Sequence, residues 1–359
     1  MFQKEDKYYN KICILILIIF SKILIIMLGG YFYDFLPSGG DANYYHDSAL
    51  GYSSVFTTTW PRFLNYLNEI GLYSRSIITG LIQFTSILIV PLVFFKLIKI
   101  TTGSIKCALE SSIVISLYLS LFAFSHDIYR DVLMVVLFLL FLVFFKRFIE
   151  ENRWLVKICL FMVSIALLFL LFGLRKYLGL AILIAMLTYS FKPVANTKIV
   201  VFIYFVLMAL FHNLGLFSLF YEYRNAFSEL TNSGSNLGID LGSSGFFDFI
   251  PKFVLSYIYQ FFGFFLVNTS AIVFFLAESV ALIYGISRVS KSIINDKFCR
   301  FGLYFILIYN TVWVLANDNL GTAVRLRMYS FIVVIILYYF SKENIRDKDE
   351  KDNARNHSA

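Results

Sequence analysis

Charge is scarce in this chain. Asp, Glu, Lys and Arg supply 15% of the 359 residues while hydrophobic residues supply 59%, a balance that no ordinary soluble domain shows. Proline is scarcer still, at 5 positions, so the apolar runs are rarely interrupted. Four cysteines, Cys13, Cys107, Cys159 and Cys299, are too few for a disulfide scaffold and carry no metal-ligand spacing. Polar and apolar residues do not alternate with period two, which excludes a membrane β-barrel. There is no Walker loop and no dinucleotide fingerprint either. The energy for any reaction must then arrive in the substrate itself.

What fills the chain is continuous apolar sequence rich in aromatics, with 41 Phe, 24 Tyr and 3 Trp. The run from Ile12 to Tyr33 crosses a bilayer easily as a helix rising about 1.5 Å per residue. Reading the sequence in windows of about 20 residues places spans near 12–33, 77–100, 107–125, 132–145, 158–173, 177–191, 199–217, 269–287, 301–316 and 328–341. The expected fold class is an all-α polytopic integral membrane protein of about ten transmembrane helices, both termini on one side.

Basic residues set the orientation. Of the 31 Lys and Arg, 21 fall in the terminal segments and the loops sharing their side, nine fall in the opposite loops, and Lys22 lies inside the first span. Both termini are therefore expected in the cytoplasm. In a soluble protein the net charge of +8 would suggest nucleic acid, but here topology accounts for it and no nucleic-acid partner is expected. Residues 253–267, FVLSYIYQFFGFFLV, are apolar but short, and counting them as a crossing would turn the basic loop 288–300 outward. They read as a re-entrant or interfacial helix on the outer side. The basic start also fits a signal peptide, against which stand the length of the first run and the lack of a small-residue cleavage site before Asp34. Residues 1–341 then form a single transmembrane domain with long outer loops at 34–76 and 218–252. Residues 342–359, KENIRDKDEKDNARNHSA, read as a charged, disordered tail.

Five cations stand in tight turns at the outer ends of helices, against the orientation rule: Arg130, Arg175, Lys176, Arg325 and Arg327. In SHDIYRDVLMVVLF, Asp131 can cap the next span and complement its dipole, but this leaves Arg130 unexplained. We expect Asp131 to orient Arg130. FGLRKYLGLAIL places Arg175 and Lys176 in a turn too short to shield them, and NDNLGTAVRLRMYSF sets Arg325 and Arg327 at a helix start. Arg62 and Arg75, by contrast, read as arginines snorkelling to headgroups. Guanidinium forks bind phosphate oxygens through paired hydrogen bonds, so cations converging on the outer face suit an anionic lipid-linked substrate.

The first outer loop, DFLPSGGDANYYHDSALGY, breaks at Pro37 and Gly39-Gly40. Asp41 then stands where an N-cap would, before a short helix with Tyr45, Ala49 and Tyr52 on one face and His46 one position round. This can be a plain capped surface helix, with Asp47 solvated. Equally, Asp41 and His46 are an acid and an imidazole able to exchange protons at neutral pH.

Taken together, these features resemble the Wzy-type O-antigen polymerases and the related capsule and exopolysaccharide polymerases. The residues concerned are Asp41, Tyr44, Tyr45 and His46 after the first span, the Arg130-Asp131 pair, the Arg175-x-Tyr177 turn, and Asn319-x-Gly321-Thr322-x-x-Arg325-x-Arg327, with a larger outer loop between. The similarity covers most of the chain, and Lys176 stands where many of those proteins carry proline. It implies a metal-independent glycosyltransferase needing no cofactor, in the bacterial inner membrane, with its site facing the periplasm. Such an enzyme transfers a growing glycan from undecaprenyl pyrophosphate to the non-reducing end of another lipid-linked repeat unit. The implied partners are undecaprenyl-pyrophosphate-linked glycans, membrane lipids, and a chain-length regulator and flippase of the same pathway.

On this view Arg130, Arg175, Lys176, Arg325 and Arg327 bind pyrophosphate. Asp41, or else His46, takes the acceptor proton, while Asp131, Tyr45 and Tyr177 orient their neighbours. Two other classes stay open. A membrane glycosyltransferase using a polyprenyl-monophosphate sugar would also place an acid in its first outer loop. A transporter or flippase of lipid-linked glycans would be favoured by midplane charges. Lys22 and Glu278 are the two such charges, each about ten residues from the cytoplasmic end of its span. They are expected to meet as a structural ion pair, or else Lys22 snorkels and Glu278 is protonated.

Overall fold

The computed structural model describes residues 2–29, 40–52, 58–192, 197–230 and 236–356. Among these residues all regular structure is helical, apart from an isolated bridge between Asn236 and Asn319. The chain divides into two compact units, Met1–Gly179 with Ile335–Ala359, and Leu180–Val334, where the sequence reading has a single domain.

The first unit holds α1 (Phe2–Met27), α2 (Gly40–Ala49), α3 (Thr59–Glu69), α4 (Arg75–Thr102), α5 (Ile105–Ser116), α6 (Leu119–Ala123), α7 (Asp131–Glu150) and α8 (Trp154–Leu174). Its core is α7, where Val132, Met134, Val135, Phe138, Leu139, Phe141, Leu142 and Phe145 are all buried. Along its remaining face Leu133, Leu137, Leu140 and Phe144 are half-buried and equally apolar, so α7 carries no polar stripe. Helix α1 is the opposite case, since Leu17, Phe20 and Leu24 are exposed. Large apolar side chains without protein neighbours match a bilayer. Helix α4 contains a π turn at Thr85–Ile89, from which Ser86 Oγ donates to the Leu121 carbonyl at 3.2 Å. It ends at Gly103, whose φ of +74° is a left-handed C-cap. Ser104 then accepts the Cys107 N–H and opens α5.

The second unit holds most of α9 (Lys176–Thr188), then α10 (Thr197–Asn213), α11 (Ser218–Leu230), α12 (Phe246–Phe261), α13 (Thr269–Ser287), α14 (Lys297–Ala316), α15 (Leu320–Leu326) and the start of α16 (Met328–Asn356). Its core runs along α14, where Phe298, Phe301, Phe305 and Tyr309 stack with centroid separations of 6.4, 6.2 and 5.2 Å. These are i, i+3 and i+4 steps on one helix face. A second π turn, at Phe275–Ser279, interrupts α13.

Among the described residues six helices are long and apolar enough to cross a membrane, or up to eight if each of two bent pairs is one span. The protein is thus a helical polytopic membrane protein, read from sequence as having ten spans. The differences have local causes. The expected span 107–125 is split at Leu117-Tyr118 into α5 and α6, and the expected span 177–191 is a helix of 13 residues. Of the short apolar segment placed at 253–267, the first part belongs to α12, which starts earlier at Phe246, contains Pro251 and ends at Phe261; Gly263, at φ +72°, then breaks the chain within the segment. The segment expected as a disordered tail continues α16 to Asn356. In the first unit Lys342 Nζ meets Glu110 Oε2 at 2.6 Å, Glu110 also takes Lys11, and Cys107 Sγ donates to Glu343 at 3.3 Å.

Candidate functional site

One end of the first unit gathers the termini of several helices. Thr59 Oγ1 on α3 donates to the Gly173 carbonyl at 2.9 Å, and Trp60 Nε1 donates to the Ile128 carbonyl at 2.9 Å. These bonds tie α3 to the last turn of α8 and to the segment before α7. Helix α2 packs on α3 through buried Ala42, Tyr45 and Ala49. Tyr52 lies beyond the helix and is 80% exposed, so the apolar face expected to reach it stops at Ala49.

Asp41 is half-buried in the first turn of α2, inside the helix and not at its N-cap, where its charge still favours the helix dipole. Pro37 and Gly39 lie outside the described residues. His46 Nδ1 is 2.8 Å from the Tyr73 hydroxyl, so the imidazole turns to a phenol 27 positions away and not to Asp41. Burial pushes the Tyr73 phenol up, against the pull of the Arg75 charge beside it. Asp47 is exposed, as read from sequence.

The arginines are placed differently from expectation. Arg75 does not snorkel: Nε and Nη2 grip Asp127 at 2.9 and 2.6 Å, and Nη2 also donates to Asn43 Oδ1 at 3.1 Å. The sequence gives no hint of this two-pronged pair because its partners are 52 residues apart. Asp131 is 1% exposed and neither caps α7 nor holds Arg130; its Oδ1 accepts from Arg175 Nη2 at 2.9 Å. The guanidinium of Arg175 also lies 5.7 Å from the centre of the Tyr177 ring. Lys176 is exposed and is the first residue of α9. That position accepts proline readily, because its N–H has no partner in the helix anyway. Gly179 lets this turn close, since a Cβ there would fall 2.6 Å from Phe172 Cβ. Arg130 is left half-buried with Nε and Nη1 enclosed and without a hydrogen bond. It is a cation with no counter-charge among the described residues.

Arg325 and Arg327 belong to the second unit. Arg325 is half-buried in the last turn of α15, whose first turn is capped by Asn319 accepting from the Thr322 N–H at 3.0 Å. Arg327 is 1% exposed, with Nη2 on Glu278 Oε2 at 3.1 Å and Nη1 on Ser279 Oγ at 3.2 Å. The expected Lys22–Glu278 pair is therefore overturned, because Glu278 is satisfied by an arginine 49 positions away. Lys22 instead lies 4.8 Å above the Phe122 ring.

Arg224 is the residue that sequence reasoning passed over. It is 3% exposed and ion-paired with Asp318, and it donates to the carbonyls of Val314 at 3.0 Å and Ile239 at 2.7 Å. Asp318 accepts the Gly238 N–H at 2.9 Å as well, which fastens residues 236–240 to 314–319. Burial raises the Asp318 carboxyl above its usual range although Arg224 and the Gly238 N–H pull it down.

Compared with protein-family models, curated proteins and solved structures, the chain gives no match. Among the described residues no three His, Cys, Asp or Glu side chains gather to hold a metal ion. What the end of the first unit offers is an uncompensated guanidinium, an exposed ammonium and a neutralised arginine, together with a short helix carrying an acid and an imidazole that α3 and Arg75 tie to the same segments.

Proposed function

We propose that the chain is a glycosyltransferase that polymerises undecaprenyl-pyrophosphate-linked repeat units at the periplasmic face of the bacterial inner membrane, with both termini in the cytoplasm. The observation that supports this most is Arg130. Two enclosed guanidinium nitrogens without hydrogen bonds are costly unless an anion completes them, and a phosphate oxygen fits that need.

In the reaction the acceptor hydroxyl oxygen bonds to the anomeric carbon. The bond from that carbon to pyrophosphate breaks, and its electron pair leaves with the pyrophosphate. Charge grows on the leaving group, so nearby cations stabilise the transition state more than the bound substrate. Arg130 takes first place here, with Lys176 beside the Arg175 turn in support. Arg175 contributes less than its charge suggests, because Asp131 already offsets it. Arg325 and Arg327 lie in the second unit, and the Arg327 charge is spent on Glu278. The acceptor proton passes to Asp41, with His46 as the alternative base, and Arg75 holds their helix through Asn43.

The test is complementation in a strain lacking the wild-type protein, read as polymer length. It is paired with release of undecaprenyl pyrophosphate from synthetic repeat units in membrane vesicles. Arg130→Lys keeps charge but loses the fork, and yield should fall about tenfold or more at normal protein abundance. Full-length polymer from Arg130→Lys, Arg175→Lys and Asp41→Asn alike would overturn the assignment. A transporter reading is favoured by the buried Glu278–Arg327 pair beside a π turn. It separates in the same vesicles, where glycan would cross without undecaprenyl pyrophosphate being released. An enzyme using a monophosphate donor would be active only when that donor is supplied.

A further inference from the structure

Two nitrogen bases near the same end of the first unit are used by nothing described so far. Lys22 sits on α1 five residues before its end at Met27, about 7.5 Å along the axis. It is 8% exposed and its Nζ has no hydrogen-bond partner. His126 follows α6, in the segment that also carries Asp127 and Arg130, and is 9% exposed. Both lie against one ring: Nζ is 4.8 Å from the centre of Phe122, and the imidazole meets the same ring edge-on at 4.6 Å.

The tautomer of His126 follows from its partner. Nδ1 is 2.9 Å from the Phe122 carbonyl, which can only accept, so Nδ1 carries the proton and Nε2 carries a lone pair. That Nε2 is enclosed and also lacks a hydrogen bond. Burial lowers the imidazole pKa, and the charge of Lys22 lowers it further, so the ring stays neutral beside the ammonium. The two groups thus present three N–H donors and a positive charge next to a single acceptor. A ring face compensates part of an ammonium charge but satisfies none of its N–H bonds.

We infer that Lys22 and His126 form a binding site for a phosphate monoester or its free phosphate equivalent, with an anionic oxygen on Nζ and a protonated phosphate oxygen donating to Nε2. A phosphate carrying both kinds of oxygen fits this pair better than a carboxylate, which when ionised has nothing to donate. Exposed Leu17, Phe20 and Leu24 lie on the side of α1 away from Lys22, so the ammonium points into the unit and a phosphate reaches it between α1 and the helices packed against it. The neighbouring π turn at Thr85–Ile89, against which α1 packs, widens α4 at this level. The site does not depend on glycosyl transfer: it can bind phosphate in a protein that polymerises nothing, and polymerisation can proceed without it.

The experiment is equilibrium binding to the full-length protein in phosphatidylcholine nanodiscs. Dodecyl phosphate is the probe, dodecanol the uncharged control and inorganic phosphate the competitor. Dodecyl phosphate should saturate while dodecanol does not. Lys22→Met should weaken binding about tenfold or more, Lys22→Arg by no more than about threefold, and His126→Phe by several-fold. Competition by inorganic phosphate assigns the site to the free anion, and its absence assigns it to a headgroup; either result upholds the phosphate chemistry. Equal affinity in wild type and Lys22→Met, with the variant eluting as a folded monodisperse species, overturns the proposal. So does equal binding of dodecanol.

Discussion

Glu278→Gln leaves Arg327 enclosed without its counter-charge. Removing one partner of a buried ion pair costs about 3–5 kcal/mol, since the stranded charge cannot reach water. Ser279 Oγ, 3.2 Å from Nη1, still accepts one hydrogen bond, which places the estimate at the lower end, about 3 kcal/mol. For a unit of roughly this size each kcal/mol moves the melting midpoint by about 2–4 °C, so the variant should melt about 6–12 °C early. Arg327→Met should cost less, because a stranded Glu278 can escape by taking a proton. The double variant Glu278→Gln, Arg327→Met removes both charges and should recover most of the loss, leaving a coupling of about 2 kcal/mol between the positions. The assay is the thermal midpoint of the full-length protein in detergent, followed by fluorescence-detected size exclusion. Wild-type melting of Glu278→Gln, or a double variant that falls by the sum of the two singles, would refute the reasoning.

Gly263→Ala should destabilise the same neighbourhood by about 1–3 kcal/mol: its φ is +72° and its Cβ would lie 2.7 Å from Arg327 Nη1. The steric part of that loss should shrink in an Arg327→Met background, leaving the milder approach to Ser279 Oγ at 3.0 Å, measured by the same melting assay. Asp127→Asn breaks the two-pronged hold of Arg75, but the pair is a quarter to a third exposed, so stability should change by only about 1 kcal/mol or less. Hydrogen exchange should nonetheless quicken in α2 and remain unchanged in α7; unchanged exchange in α2 would show that Arg75 does not hold it. For His126 the folded pKa lies below the usual 6.5, so the unfolded chain binds the extra proton first. Its contribution to stability is therefore complete above that value and is lost as pH falls through it. His126→Phe should flatten the drop in melting midpoint between about pH 7 and 5.5, and an unaltered slope would mean the ring titrates normally.

Helices α7 and α8 were plain in the sequence because a long uninterrupted apolar run has one common outcome. The break at Leu117-Tyr118 was hidden because neither residue is a helix breaker, and tertiary packing decides it. At the candidate site the cation positions and the Arg175–Tyr177 neighbourhood were legible from the cost of charge at helix ends. Their partners were not. Asp127 for Arg75, Asp131 for Arg175 and Glu278 for Arg327 are pairings across 52, 44 and 49 positions, and a single sequence carries local periodicity without distances. Arg224 escaped for a related reason: YEYRN looks like solvated loop until the Val314 carbonyl of α14 and the Asp318 carboxylate enclose its arginine.

The division of the first unit across the two ends of the chain has a consequence for the order of synthesis. Residues Met1–Gly179 leave the ribosome long before Ile335–Ala359, which complete them. At about 5–20 residues per second the intervening stretch Leu180–Val334, roughly 155 residues, occupies the ribosome for about 8–30 s. During that interval Glu110 can hold Lys11 but not Lys342, and Cys107 has no Glu343 to face. The nascent first unit is an unfinished assembly whose last helix arrives after the whole second unit has been made, so a ribosome stalled anywhere in Leu180–Val334 leaves a fragment that the insertion machinery must shelter and quality control can recognise.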